Sequence, residues 1–517
     1  MPVSLPSVTL SIIPATQLSG VTAQKVLIVG QISASGAAAS AGTLHQNVQA
    51  DGSEKTKFGI RSHLAHMIQA FKADNKVTQL DVFTVADPTT AAAQATATIT
   101  CTDVVGDATE AGTISIQVGN VVKDVSVAVG DGGEDLADAI VTAFTDTDYA
   151  FGTPVKSGTG PWIVTFTIDS NGAVGNDLPI IVGDLISGTD VVVTTGFDDG
   201  AGIVVYSGLA AAIQNIRYQT IVWPSAYTVA DITTIVDDRF NETNEVMDGI
   251  AVQTVCDTLT TLKSAALAEN SQNLVMIAQN PVTVTGGAVY PSTNASPDYL
   301  SVQVAAIRSL RLTEDALLTD YLTTTARQDQ YGGIGLASLP YFNTALPNLP
   351  VADPTEDYSL LEYAELASNG LAAAGPNRAY SGSVFGEFVT TYINDTAGNP
   401  DSSYKYLNTV DTVSVIREFF FENLKSRYAQ TRLTTGDLIQ GKAMANEPSI
   451  RAFCHRLYDE LADEGLVQKG TAAKQDYNAN LSITVDIANG KVTIDQAPLL
   501  VTQLRVIIGT VQVNFGG

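Results

Sequence analysis

The chain has 517 residues, 45% of them hydrophobic, and a formal net charge of −27. The length exceeds what one hydrophobic core serves, so about two to four domains are expected. The charge argues against duplex nucleic acid as a partner, because phosphate binding needs a concentrated basic surface. Three scattered cysteines, Cys101, Cys256 and Cys454, make no disulfide framework and fit a reducing cytoplasm. The start, MPVSLPSVTLSIIPATQ, lacks a basic leader and is broken by Pro2, Pro6 and Pro14, so no signal peptide is read there. No apolar run is long enough to span a bilayer, and direct membrane insertion is not expected.

In residues 3–13, Val8, Leu10 and Ile12 alternate with Ser7, Thr9 and Ser11, the pattern of a half-buried strand without a hairpin partner. It reads either as an edge strand of its own domain or as an arm that joins another subunit's sheet. KVLIVG (25–30) reads as a buried parallel strand, 54–72 as a helix with Ile60, Leu64, Ile68 and Phe71 on one face, and 79–85 as a returning strand. Gly30, Gly36 and Gly42 in the intervening loop lie six apart, which is not a dinucleotide fingerprint, and no Gly-Lys-Ser/Thr follows.

Between 95 and 198 the composition changes: two lysines face fifteen Asp and Glu, a net −13, with no arginine or histidine. Short strands at 113–118, 121–129, 162–168 and 190–195, with a helix at 134–144, make this a β-rich module inserted into the first domain and facing solvent. Its Asp-rich turns lack the ligand spacing of a calcium loop and read as turn and cap residues. Strands at 218–223, 249–255 and 274–278 then alternate with helices at 228–240, 259–268 and 298–312, the rhythm of a mostly parallel sheet covered on both faces. Residues 331–377 are punctuated by proline and glycine and read as a connector with a helix near 358–371.

The C-terminal part opens with a strand-like run at 384–393, followed by a helix that Asp411 or Thr412 can cap and that carries Phe419, Phe420 and Phe421 on three bearings. Strands at 482–487 and 491–495 flank an Asn489-Gly490 turn. At the end Leu504, Val506 and Ile508 alternate in one phase and Val511, Val513 and Phe515 in the other. Bare apolar strands at both termini would be aggregation hazards, so partners are expected for them.

Catalytic and metal motifs are not found, and no cofactor is expected. His63 and His66 lie one helical turn apart with no cysteine or acidic ligand nearby in sequence and read as polar-face residues. Cys454 and His455 are adjacent, so on a helix their side chains diverge. Arg417, Lys425, Arg427, Arg432, Lys442, Arg451 and Arg456 stand against Glu418, Glu422, Asp437 and Glu447, a local +3 in a strongly acidic chain. Either they form a solvated face of i,i+4 pairs or they meet an acidic partner.

A run ending in Thr390-Thr391-Tyr392, a turn with Gly398, Pro400, Asp401, Ser403 and Tyr404, and a helix with Arg417 and the tail Lys425, Arg427, Tyr428, Ala429 resemble the tail sheath proteins of contractile bacteriophages, the Mu-like branch above all. SIRAFCHRLYDELADEGLV (449–467) is similar to the family's next helix and VTQLRVIIGTVQV (501–513) to its closing strand; 248–279 is similar to it more loosely. The resemblance implies a structural, non-enzymatic subunit of the virion, assembled in the host bacterial cytoplasm. Its partners would be itself, in hexameric rings stacked helically, the tail tube, and baseplate and tail-terminator proteins. It implies strand arms at 1–22 and 503–517, an α/β body at 23–94 plus 199–345, an outer domain at 95–198, and a connector with an α+β sheath domain at 346–502. The arm residues would be Val8, Leu10, Ile12, Leu504, Val506, Ile508, Val511 and Val513, and the tube-facing residues Arg417, Lys425, Arg427 and Arg432. The alternatives are a surface-layer or other self-assembling structural protein and a nucleotide-dependent α/β enzyme.

Overall fold

The computed structural model describes residues 24–33, 37–103, 107–146, 148–240, 246–283, 289–312, 341, 344–350, 355–376 and 383–502. Both terminal arms, with all eight arm residues named above, lie outside the described residues. The chain divides into two compact units, one built from Ala23–Ser414 and one from Val415–Val501.

In the first unit, β1 (Lys25–Gln31), β2 (Leu44–His45) and β3 (Gln79–Val85) flank α1 (Ser53–Phe58) and α2 (His63–Asp74). The single helix expected over 54–72 is two helices. Gly59 takes φ 98, where a side chain would be strained, and the Ser62 hydroxyl caps a fresh start by accepting from Ala65 N. Ile60, expected on the apolar face, falls in the break and is exposed.

The inserted segment holds β4 (Gln94–Thr102), β5 (Gly112–Val118), β6 (Val121–Val127), α3 (Gly133–Ala143), β7 (Val155–Lys156), β8 (Trp162–Asn171), β9 (Ile180–Val182) and β10 (Asp190–Asp198). They form a sheet of order β10-β4-β8-β7 and a second of order β6-β5-β9. Between them lies their own core, in which Phe144, Phe151 and Phe166 meet edge to face or tilted. Asp131 and Asp135 act as turn and cap residues, accepting from Ala128 N and Gly132 N. Strand β4 had no sequence signal of its own, because its inward residues are Ala95, Ala97, Ile99 and Cys101 set between threonines.

The βα rhythm then resumes with α4 (Leu209–Ile213), β11 (Thr220–Val222), α5 (Val229–Arg239), β12 (Ile250–Cys256), α6 (Leu259–Glu269) and β13 (Leu274–Gln279). A small hairpin of β14 (Pro281–Thr283) and β15 (Val289–Pro291) and helix α7 (Pro297–Arg311) follow. Next come β16 (Ala345–Leu346), α8 (Leu360–Ser368), β17 (Leu371–Pro376) and β18 (Ser383–Phe385). Among the described residues these build one sheet of order β16-β18-β17-β13-β12-β11-β1-β3-β2, parallel from β17 to β3 with antiparallel edges. Val26 and Ile28 face a core with α2 and α7, while Leu27 and Val29 face another with α4, α5 and α6. That two-sided burial explains the unbroken apolar run.

The stretch read as a connector therefore supplies strands to this sheet. In LAAAGP, Gly375 stands where a Cβ would meet the Tyr363 hydroxyl at 2.1 Å. The strand expected over 384–393 is a ladder only to Phe385. Beyond it Thr391 gives its amide to Leu274 O and its hydroxyl to Ser271 O, so the segment crosses strand ends instead of pairing along them.

Helix α9 (Leu407–Tyr428) starts before the expected cap, and Asp411 lies inside it. The Asp411 carboxylate is buried against the Arg308 guanidinium and accepts from Tyr341 OH at 2.6 Å, while Arg308 also donates to Gln219 O at 2.9 Å. In the second unit, β19 (Arg432–Leu433) and β20 (Met444–Ala445) precede α10 (Glu447–Asp463), α11 (Thr471–Asn480), β21 (Ser482–Asp486) and β22 (Lys491–Asp495).

Candidate functional site

Among the described residues the hairpin β21–β22 is a sheet of two strands only. Its register pairs Ile483 with Ile494 and Val485 with Val492 on one face, and Thr484 with Thr493 on the other. Gly490 at φ 62 and two hydrogen bonds from Asn489 to the Asp486 carboxylate close the turn, and they hold the Asp486 carboxyl below its ordinary range. All four apolar residues are only half-buried, and among the described residues neither outer edge pairs with another strand.

The hairpin is anchored at its start, where Arg451 donates to Leu481 O at 2.9 Å and Leu481 is buried. Tyr477 stacks on Tyr458 at 4.3 Å and donates to Gln496 Oε1 at 2.8 Å. Beyond β22, Gln468 N donates to Leu499 O and Val501 N to Leu466 O. The chain is thus already extended and paired where the described residues end.

The basic residues of this unit divide into two kinds. Arg451 and Arg456 are spent in i,i+4 pairs with Glu447 and Glu460. Lys425, Arg427, Arg432 and Lys442 are exposed, whereas Arg417 is half-buried on α9. Arg427 and Arg456 both lie within 5 Å of the Phe453 ring centroid, at 4.8 and 4.7 Å, and Lys425 Nζ lies 5.2 Å from that of Phe421. These contacts hold the exposed cations close to the helices that carry them.

Sites for chemistry are spent on structure. In the loop after β1, Ser33, Ala39 and Gly42 give their amides to Phe58 O, Lys57 O and Thr84 O, so they are not available to cradle a phosphate. Burial pushes the Cys454 thiol up to about 11, and His455 turns to Asn478, so the two do not form a nucleophile and base. Among the described residues no group of three His, Cys, Asp or Glu is placed to hold a metal, and no helix is long and apolar enough to cross a membrane. His63 and His66 are half-buried and lie, with Gln69, on the less buried side of α2. The insertion folds over α2, and the His63 ring, 11% exposed, meets Asp298 at 2.8 Å.

No family model and no curated protein matches the sequence. Among solved structures, the chain is similar to a sheath tail protein from Desulfitobacterium hafniense, at 10% identity over 96% of this chain and 100% of that one, with a TM-score of 0.45. It is also similar to a sheath tail protein from Listeria innocua, at 12% identity over 92% of each chain, with a TM-score of 0.46. A third is the helical sheath of the anti-feeding prophage in its contracted state, at 10% identity over 99% of this chain and 100% of that one, with a TM-score of 0.47.

Proposed function

We propose that this chain is a structural subunit of a contractile tail sheath, without enzymatic activity. Hexameric rings stack helically around a tail tube in a metastable extended state, and their repacking into a shorter, wider cylinder drives the tube through the host envelope. The work comes from the packing difference between two states of the same subunits, so no nucleotide is required.

The observation that carries this reading is the hairpin β21–β22, with both edges open among the described residues and its apolar face half-buried. An isolated two-stranded hairpin is marginal in water, and added strands complete it. The chain holds two apolar alternating segments of the right kind, through Val8, Leu10 and Ile12 and through Leu504, Val506, Ile508, Val511 and Val513. Given to a neighbour's hairpin, they tether subunits by main-chain hydrogen bonds that survive sliding of the domains. Lys425, Arg427 and Arg432, with Arg417 half-buried on the same helix as the first two, are the residues assigned to the tube. Exposed ion pairs are individually weak and suit a surface that must later let go.

Electron microscopy of the full-length protein beside a variant lacking residues 1–13 and 503–517 tests the proposal. Hollow cylinders from the first and monomers from the second are expected. Cylinders from both would remove the arms from the assembly, and monomers from both would remove the sheath.

A further inference from the structure

The inserted segment folds back onto the body and forms with it a partly open cavity of about 100 Å³ at the seam. Around it the two parts are fastened: Lys55 pairs with Asp148 at 2.7 Å, Gln117 Nε2 donates to Asn294 O at 2.7 Å, and His63 N donates to Ser170 Oγ at 3.3 Å. The body lines the cavity with His63, His66 and Asp298, the insertion with Phe151, Ile168 and Leu178. The lining mixes polar with apolar side chains.

The polar groups of the body have a defined hydrogen-bond demand. Asp298 Oδ1 accepts from Ser225 N at 2.6 Å, and its Oδ2 lies 2.8 Å from His63 Nε2. A carboxylate offers only lone pairs, so His63 Nε2 carries the proton, and in the neutral ring Nδ1 is a bare acceptor. His63 Nδ1 and His66 Nε2 are both buried and neither has a partner among the described residues. Burial, then the nearby His63 and Lys55, lowers the His66 pKa to about 4, so this ring is neutral at pH 7. The two rings sit three residues apart, on one face of α2. A hydroxyl is suited to either nitrogen, giving a proton to His63 Nδ1 or accepting one from His66 Nε2.

We propose that the seam cavity binds a small hydroxylated apolar molecule of the alcohol or phenol class. Its hydroxyl pairs with His63 Nδ1 or His66 Nε2, and its ring or chain packs against Phe151, Ile168 and Leu178. A carboxylate fits poorly because it has no proton to give to His63 Nδ1. A hydrocarbon of the same shape leaves both nitrogens unpaired, which is costly in a buried site. The ligand would touch body and insertion at once, so its binding tightens the seam. This inference does not depend on the sheath reading.

The test titrates the full-length protein with phenol by calorimetry, with toluene and benzoate as controls. Hydrogen exchange is followed at 118–121 and 168–170. Saturable phenol binding with a roughly millimolar dissociation constant is expected, with toluene and benzoate at least about tenfold weaker, and slower exchange on both stretches. Leu178→Trp, which fills the cavity from the insertion and leaves both histidines in place, should abolish binding, and His66→Leu should weaken it about tenfold where His66 is the partner. Absence of saturable binding, equal binding of toluene, or unchanged binding to folded Leu178→Trp would each overturn the proposal. Should either variant fail to fold, a crystal of the unaltered protein grown with phenol decides: phenol in the cavity sustains the site, and water alone there refutes it.

Discussion

The sheet of the body and the hairpin β21–β22 are both β-structure, yet they are finished to different degrees. In β1, Val26, Leu27, Ile28 and Val29 are fully buried, two to each face, and the sheet ends in two-residue antiparallel strands, β2 and β16. In the hairpin, Ile483, Val485, Val492 and Ile494 are all half-buried and both edges are bare among the described residues. Short antiparallel ends blunt a sheet against further pairing, whereas a bare edge is a template for it. Among the described residues, the body's sheet ends in short strands and the hairpin's edges stay unpaired.

Breaking the body should therefore cost far more in the isolated chain than breaking the hairpin. The largest effect is expected at Asp411. Asp411→Ala leaves Arg308 charged and buried without its carboxylate, a loss of about 3–5 kcal/mol in urea unfolding. Arg308→Met combined with Asp411→Leu should restore most of it. A matched pair of truncations then sharpens the contrast. Ile28→Ala should cost about 2–5 kcal/mol, whereas Ile494→Ala should cost under about 1 kcal/mol in the monomer and weaken the assembled cylinder instead. Equal losses in the monomer would mean that the hairpin is as complete as the body.

The same contrast decided what could be read in the sequence. Two-sided burial leaves a strong mark: KVLIVG, QLDVFTV and LVMIAQ are strands β1, β3 and β13 within a residue or so. The hairpin was legible for another reason, the Asn489-Gly490 turn between two alternating runs. Features set by distant partners were hidden. Asp411 has the sequence look of a helix cap, and only the fold brings Arg308 and Tyr341 to it. LAAAGP carries no strand signal: its residues are small, and at Gly375 the Tyr363 hydroxyl leaves no room for a side chain. The break at Gly59 and Ser62 was present in the sequence and was outweighed by the apolar spacing across it. His63 and His66 show the limit most clearly. Their pattern is that of a polar helix face, and an insertion whose return path no local pattern encodes turns it into the wall of a cavity. Of the residues proposed for assembly, Lys425, Arg427 and Arg432 are exposed, and the arms lie outside the described residues.

Acid offers a milder way to break the body. His66 titrates near 4 in the folded chain and near 6.5 when unfolded, so between those values the unfolded chain binds more protons. Its contribution is complete above pH 6.5, falls as the pH drops toward 4, and does not change further below that. The expected loss is on the order of 1–3 kcal/mol. Urea midpoints for the native chain and His66→Gln should converge as the pH is lowered through this window. A constant gap across the window would remove His66 from the acid response.

The smallest effect on stability is expected where the proposed function places the largest effect on assembly. Lys425→Glu with Arg432→Glu alters two exposed residues, so the monomer should keep its stability within about 0.5 kcal/mol. Arg417 is a poorer choice for such a reversal. It is half-buried, and a carboxylate there would lose solvation, so misfolding could pass for lost binding. If the exposed cations meet an acidic tube, the double variant should lose co-sedimentation with purified tube at low salt. The unaltered protein should lose it progressively as salt rises, because contacts between exposed charges are screened beyond about 10 Å at 0.1 M. Tube binding that withstands both the reversal and the salt would assign the tube contact to another surface. The hairpin and the arms would then remain as the only proposed contacts between copies, since strand addition rests on main-chain hydrogen bonds that salt barely touches.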